Sequence, residues 1–240
     1  MLIPWSLAGS LMVASVALAA RLLVWLPRRS LDAAVPWLQS LAAGLLLGDA
    51  SLHMLPASLA EGVPSATAGS YLAIGVISLF AIECIVRAFG RRTATAPFAR
   101  LNVVGDAVHH LVDGAVIGAS FAVNTTVGSI ITMAIMLHEL PREIGNAGVL
   151  IAGGYTRDQA IRITLMTTGA IPLGALAIAI FGHTPFLGES LALAAGTTLY
   201  LSCGDLIPSL WTAKYGGVFA PPVGVGAGMV LMWLATWLHH

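Results

Sequence analysis

Asp106, His109, His110 and Asp113 fall within eight consecutive residues, and His138, Glu139, Arg142 and Glu143 within six. Around them the chain is mostly Val, Ile, Leu, Ala and Gly. Imidazoles and carboxylates at helical spacing are the donors that a borderline divalent cation takes as ligands. Acids and histidines at bilayer depth are costly unless they face protein, water or an ion. The two stretches therefore read as parts of one intramembrane cation site.

Spacing sharpens this reading. His109 and Asp113 are four residues apart on one helix face, with Asp106 one turn before them, while Asp106 and His110 form a second such pair. Gly105, Gly114 and Gly118 leave room for a neighbouring helix. In the next segment His138 and Arg142 share one face and Glu139 and Glu143 the adjacent one. His109, Asp113 and His138 then converge as a ligand set for Zn²⁺, Fe²⁺, Mn²⁺ or Cd²⁺, with Glu139 and Glu143 beside them. Pro141 frees the carbonyl of Leu137 and predicts a local opening of its helix. A lone histidine in a span is often only a helix contact; for His53 the i,i+4 acid Asp49 favours a relay toward the site. Glu83 and Glu189 lie near span ends, where solvated or capping roles are expected. Arg142 is a fixed positive charge beside the ion, tolerable if Glu139, Glu143, Asp106 and Asp113 intervene. Its guanidinium would stand in for a second metal, leaving room for one ion.

The elements that must position these groups are transmembrane helices. Hydrophobic residues make up 58% of the 240 and charged residues 9%, too little charge to wet the surface of a soluble domain. Apolar segments near 3–25, 33–59, 66–88, 101–124, 127–152, 160–181, 186–212 and 217–238 approach the roughly 20 residues that cross a bilayer. Gly, Pro, Ser and charged residues separate them, with Asn124-Thr125-Thr126 the weakest break. The fold class is an all-α polytopic membrane protein, a single domain over 1–240. His109 would lie about 12 Å from the start of its span, near mid-membrane. Arg21, Arg28, Arg29, Arg87, Arg91, Arg92, Arg100, Arg157, Arg162 and Lys214 gather at odd-numbered connections. The positive-inside rule makes that side cytoplasmic and both termini external. Gly48-Asp49 before Leu55-Pro56, and Gly204-Asp205 before Ile207-Pro208, suggest an inverted repeat of the second and seventh spans. Zero net charge and no basic run speak against nucleic acid. Met1 to Ala20 reads as a retained first helix instead of a signal peptide. Cys84 and Cys203 suggest no disulfide framework.

These motifs resemble those of the ZIP metal-ion transporters, closest to the subgroup with His-Asn-x-x-Asp-Gly in the fourth helix and His-Glu-x-Pro-His-Glu-x-Gly-Asp in the fifth. Here they stand as His109-His110-Leu111-Val112-Asp113-Gly114 and His138-Glu139-Leu140-Pro141-Arg142-Glu143-Ile144-Gly145-Asn146. Gly48 to Pro56 and Tyr200 to Pro208 are also similar to family patterns. The resemblance implies eight helices in a 3+2+3 bundle with inverted repeats, an elevator-like movement, a homodimer, and uptake of divalent metal, mainly zinc, across the cell membrane. It implies one metal position on His109, Asp113 and His138, where Arg142 replaces a ligand, and an adjoining one on His110, Glu139 and a shared Asp113. Asn146 replaces an acid, Ser209 stands where Glu often follows Pro208, and the long histidine-rich loop between helices three and four is absent.

The path expected from these residues runs from Asp49 and His53 to the central ligands and out past Asp205. The metal is cargo, with no prosthetic group and no enzymatic step. The alternative is an intramembrane zinc metallohydrolase, since His138-Glu139-Leu140-Pro141-Arg142 starts like HExxH, although Arg142 lacks the second ligand. A non-transporting receptor or assembly subunit is a third class. No GxSxG elbow supports a serine hydrolase.

Overall fold

Proline, glycine and capping residues cut the chain into helices at nearly the positions that hydropathy sets. The computed structural model describes residues 3–18, 27–89, 94–181, 186–211 and 219–237, except the side chains at 28, 31, 32, 134, 138, 141, 235 and 237. Among the described residues there is no strand. The first span contains α1 (Ile3–Val16). The second is α2 (Arg28–Gly48), a widened π turn (Asp49–Met54) and α3 (Leu55–Ala60). The third, fourth and fifth are α4 (Ser65–Phe89), α5 (Pro97–Val123) and α6 (Thr125–Ala152). The sixth is split into α7 (Arg157–Thr167) and α8 (Ala170–Phe181). The seventh is α9 (Leu187–Tyr200), a second π turn (Leu201–Leu206) and α10 (Ile207–Leu210). The eighth contains α11 (Ala220–Trp237).

Local chemistry explains the boundaries. Pro97 sits in the first turn of α5, where its missing N–H costs nothing. Thr156 and Gln159 cap α7 reciprocally, side chain to backbone in both directions. Asn124 alone joins α5 to α6; it is fully extended, and its side chain accepts from Val127 N at 2.8 Å. The sixth span is not the continuous helix expected over 160–181. Pro172 cannot donate to the Thr168 carbonyl, which instead accepts from Ile171 N at 3.1 Å, and Gly169 adds little helix propensity. Pro141 lies inside α6, which runs from Thr125 to Ala152 as one helix.

The two π turns occupy matching places, each just before a proline (Pro56 and Pro208) in the first turn of the following helix. Leu55 N and Ile207 N reach back five residues, to the Ala50 and Ser202 carbonyls. This wider turn moves the carbonyl four residues before each proline away from its ring.

The broadest packing is α5 on α8, α2 on α11 and α4 on α9, with α1 against α5, α6 and α8. Each of the three pairs is locked by two glycines facing backbone. A Cβ on Gly114 would lie 1.9 Å from the Ile171 carbonyl oxygen, and one on Gly174 2.0 Å from that of Leu111. Gly75 and Gly196 join α4 to α9 in the same way, and Gly44 and Gly228 join α2 to α11. One group thus contains α1, α5, α6, α7 and α8, with Val13, Ile117, Phe121, Ile135 and Ile171 at its core. The other contains α2, α3, α4, α9, α10 and α11. They meet where α2 packs on α6 and the seventh span on α5, and the charged centre lies at that junction.

Candidate metal centre

Helical spacing places Asp106, His109, His110 and Asp113 on the buried side of α5, and Glu139, Arg142, Glu143 and Asn146 on the buried side of α6. The π turn of the second span adds Asp49, which is wholly buried. His53 is partly exposed and meets Asp49 Oδ1 through Nδ1 at 3.0 Å. The other Asp49 oxygen lies 3.1 Å from His109 Nδ1. On its far side, His109 Nε2 lies 3.2 Å from Glu139 Oε1 and 3.3 Å from Asp113 Oδ2. A neutral imidazole carries one N–H. With carboxylates at both nitrogens, an acid oxygen faces a ring lone pair unless the ring takes up a second proton or a cation stands between them.

His110 repeats the arrangement one residue on. Its Nε2 lies 2.9 Å from Glu143 Oε1 and 3.2 Å from Glu139 Oε2, and its Nδ1 3.6 Å from Asp106 Oδ2. Two groups of potential ligands result, His109/Asp113/Glu139 and Asp106/His110/Glu143, each with its donor atoms within 4.8 Å of one another. Glu143 Oε2 is buried and accepts no hydrogen bond from the described residues, an orphan that a cation would satisfy.

Arg142 lies between the groups and is 2% exposed. Nε and Nη2 donate to the two oxygens of Glu139 at 2.7 and 2.8 Å, and Nη1 donates to Asp106 Oδ1 at 2.8 Å. Asp106 is held from three sides, by Arg142, by the amide of Asn146 and by the Thr167 hydroxyl at 2.6 Å. Asn102 steadies Asn146 by donating to its carbonyl oxygen at 3.3 Å. Asp49, Asp106, Asp113, Glu139 and Glu143 are all buried here, against one buried guanidinium. Such an excess of acid in a dry interior requires further cations or protons.

A family model described as "ZIP Zinc transporter" matches residues 90–236, more than half of the chain. The chain belongs to the ZIP family. ZIP relatives include "Zinc transporter zipt-7.1" of Caenorhabditis briggsae, 37% identical over 121 residues (47% of this chain, 30% of the relative). "Zinc transporter YKE4" of Saccharomyces cerevisiae is 32% identical over 158 residues (56% and 46%). "Zinc transporter ZIP13" of Pongo abelii is 28% identical over 228 residues (85% and 69%). The chain thus spans less than half the length of the first two of these relatives. Like other ZIP proteins it is a multi-pass membrane protein. Ser65–Ala88, Arg157–Phe181 and Leu187–Leu210 are each long and apolar enough to cross a bilayer, whereas α5 and α6 carry most of this ZIP chain's buried charges among the described residues.

Measured against the sequence, the centre brings together His109, His110, Asp113, Glu139, Glu143, Asp106, Arg142 and Asp49, with His53 at its edge. His138 lies in α6, but its side chain is outside the described residues. Arg142 points with Glu139 and Glu143 into one wedge, not onto a face apart from them. His110 meets Glu139, as expected, together with Asp106 and Glu143. Asp205 lies elsewhere, in the second π turn beside Glu83 and Arg87. Glu83 is buried, contrary to the solvated role expected, because Arg87 and Tyr200 hydrogen-bond to it. Helical spacing alone gives Thr167 no place in the centre. The run Thr164, Thr167, Thr168 in an apolar span was its only signal. Asn146 was noticed as a lost acid but not as a donor to Asp106.

Proposed function

We propose that the chain carries a divalent cation, zinc foremost, with Fe²⁺, Mn²⁺ or Cd²⁺ as possible substitutes, across the cell membrane toward the cytoplasm. One observation carries this reading: five buried carboxylates and two histidines share one centre with a single buried guanidinium. The relatives' names, all zinc transporters, support it. The ion's ligands are His109, Asp113 and Glu139, with His138 from the adjoining position of α6. Asp106, His110 and Glu143 form the flanking wall. Arg142 takes the place of a second ion between Glu139 and Asp106, so one ion is bound per cycle.

A largely apolar cavity of about 410 Å³ lined by Leu52, His53, Ala57, Val116, Ile131 and Leu191 adjoins the π turn of the second span. The ion reaches His53 and Asp49 from this cavity, loses part of its hydration shell and passes to His109. It leaves past Asp205. The glycine-locked pairing of helices suits an inverted 3+2+3 repeat in which one group moves against the other. The termini lie outside, and a second copy in the bilayer is the expected partner. A hydrolytic role is disfavoured because both Glu139 oxygens are held by Arg142, leaving that acid poorly placed to activate water.

The test is flux into liposomes loaded with a metal-sensitive dye, with Zn²⁺, Mn²⁺, Fe²⁺ and Cd²⁺ offered in turn. The His109→Ala/Asp113→Ala protein should insert normally and carry no zinc. Wild-type flux in that variant would refute the assignment of ligands.

A further inference from the structure

A second group of buried acids lies apart from the centre, between α4 and the second π turn. Glu83 is 5% exposed and Asp205 6%. One Glu83 oxygen accepts from Arg87 Nε and the other from the Tyr200 hydroxyl. Arg87 Nη2 also lies 3.8 Å from Asp205 Oδ1, too far for a hydrogen bond. The remaining oxygen of Asp205, Oδ2, is buried and accepts none from the described residues. Two acids thus share one guanidinium, and the worse-served one keeps a buried oxygen with no hydrogen bond among the described residues.

Exposure is distributed unequally among these partners. The acids are buried, but the Arg87 side chain is 55% exposed. A half-exposed arginine can withdraw into the headgroup layer at small cost, whereas the acids cannot leave. Withdrawal would leave both carboxylates without the guanidinium that lies against Glu83 Oε1 and near Asp205 Oδ1, with the Tyr200 oxygen on the other Glu83 oxygen, and oxygen donors of this kind are what hard divalent cations accept. Oxygen donors hold zinc less firmly than imidazole does, which suits brief residence.

We propose that Glu83, Asp205 and Tyr200 form a second cation position, and that Arg87 is the tethered cation that occupies it when no metal is there. A divalent ion displaces the guanidinium, and its return expels the ion. This rests on the transport reading above, in which Asp205 marks the way out, and extends it by giving the exit a built-in competitor.

Mn²⁺ is the probe, because it favours oxygen ligands and its free form is counted directly by electron paramagnetic resonance. Purified full-length protein is titrated as wild type, Arg87→Gln, and Arg87→Gln/Asp205→Asn. Arg87→Gln should bind one Mn²⁺ about tenfold more tightly than wild type does at this position, the gain from removing a partly exposed competing charge. Adding Asp205→Asn should abolish that ion, and adding His109→Ala/Asp113→Ala should leave it. Identical titrations of wild type and Arg87→Gln would overturn the proposal. So would loss of the extra ion with His109→Ala/Asp113→Ala instead of with Asp205→Asn. If Arg87→Gln does not fold, Glu83→Gln decides: its weak Mn²⁺ site should be weaker than that of wild type, and equality refutes the idea. Absence of zinc flux in wild type would defeat the transport reading while leaving this count to stand or fall alone.

Discussion

Replacing Arg142 with Gln tests whether a side chain does the work of a metal ion. The substitution removes three hydrogen bonds of 2.7 to 2.8 Å from Glu139 and Asp106. Both acids stay buried, and Asp106 keeps only Asn146 and Thr167. Removing one partner of a buried ion pair costs about 3–5 kcal/mol. For a chain of this length that corresponds to a melting temperature lower by roughly 6–20 °C. The loss should be large in chelator and shrink in zinc, because a second ion can now sit where the guanidinium was. An ion at a hundred times its dissociation constant returns about 2.7 kcal/mol per site. The assay is thermal unfolding of detergent-purified protein with chelator or zinc, paired with equilibrium zinc counting. Wild type should bind one ion at the centre and Arg142→Gln two. A melting difference that zinc leaves unchanged, or one ion in both proteins, would refute the argument that charge is what Arg142 supplies.

Three further outcomes follow from the same contacts. Thr167→Val removes one of three donors to Asp106 and should lower stability by about 1.5–3 kcal/mol, read as a lower melting temperature in chelator. Gly114→Val places a Cβ 1.9 Å from the Ile171 carbonyl, so α5 and α8 must separate; little monodisperse protein should be recovered by size-exclusion chromatography. Asn124→Ala removes the cap of α6 and should cost about 1 kcal/mol, again a thermal-melt measurement.

Much of this arrangement is legible in the residues. The acids and histidines of α5 could be grouped because one helix face repeats every three to four positions. The second and seventh spans announced a common device through Gly-Asp and Leu-Pro or Ile-Pro, although only coordinates identify it as a π turn. What stayed hidden depends on partners distant in sequence. Glu83 looked solvated near the end of its span, since nothing local says that Tyr200 lies against it. Thr167 gains its role only because the chain breaks after it and Asp106 lies across the interface. The hold of Arg142 on Glu139 across adjacent helix rows, by contrast, is legible in their spacing, because a long side chain reaches the next row.

Asn124 carries a final consequence. A linker of one extended residue, pinned by its own amide to the next turn, leaves no slack between the two helices it joins. Their depths are therefore fixed to each other, like the two blades of a closed pair of tongs. Under the proposed function, an ion held between α5 and α6 would move with both helices and not by one sliding past the other.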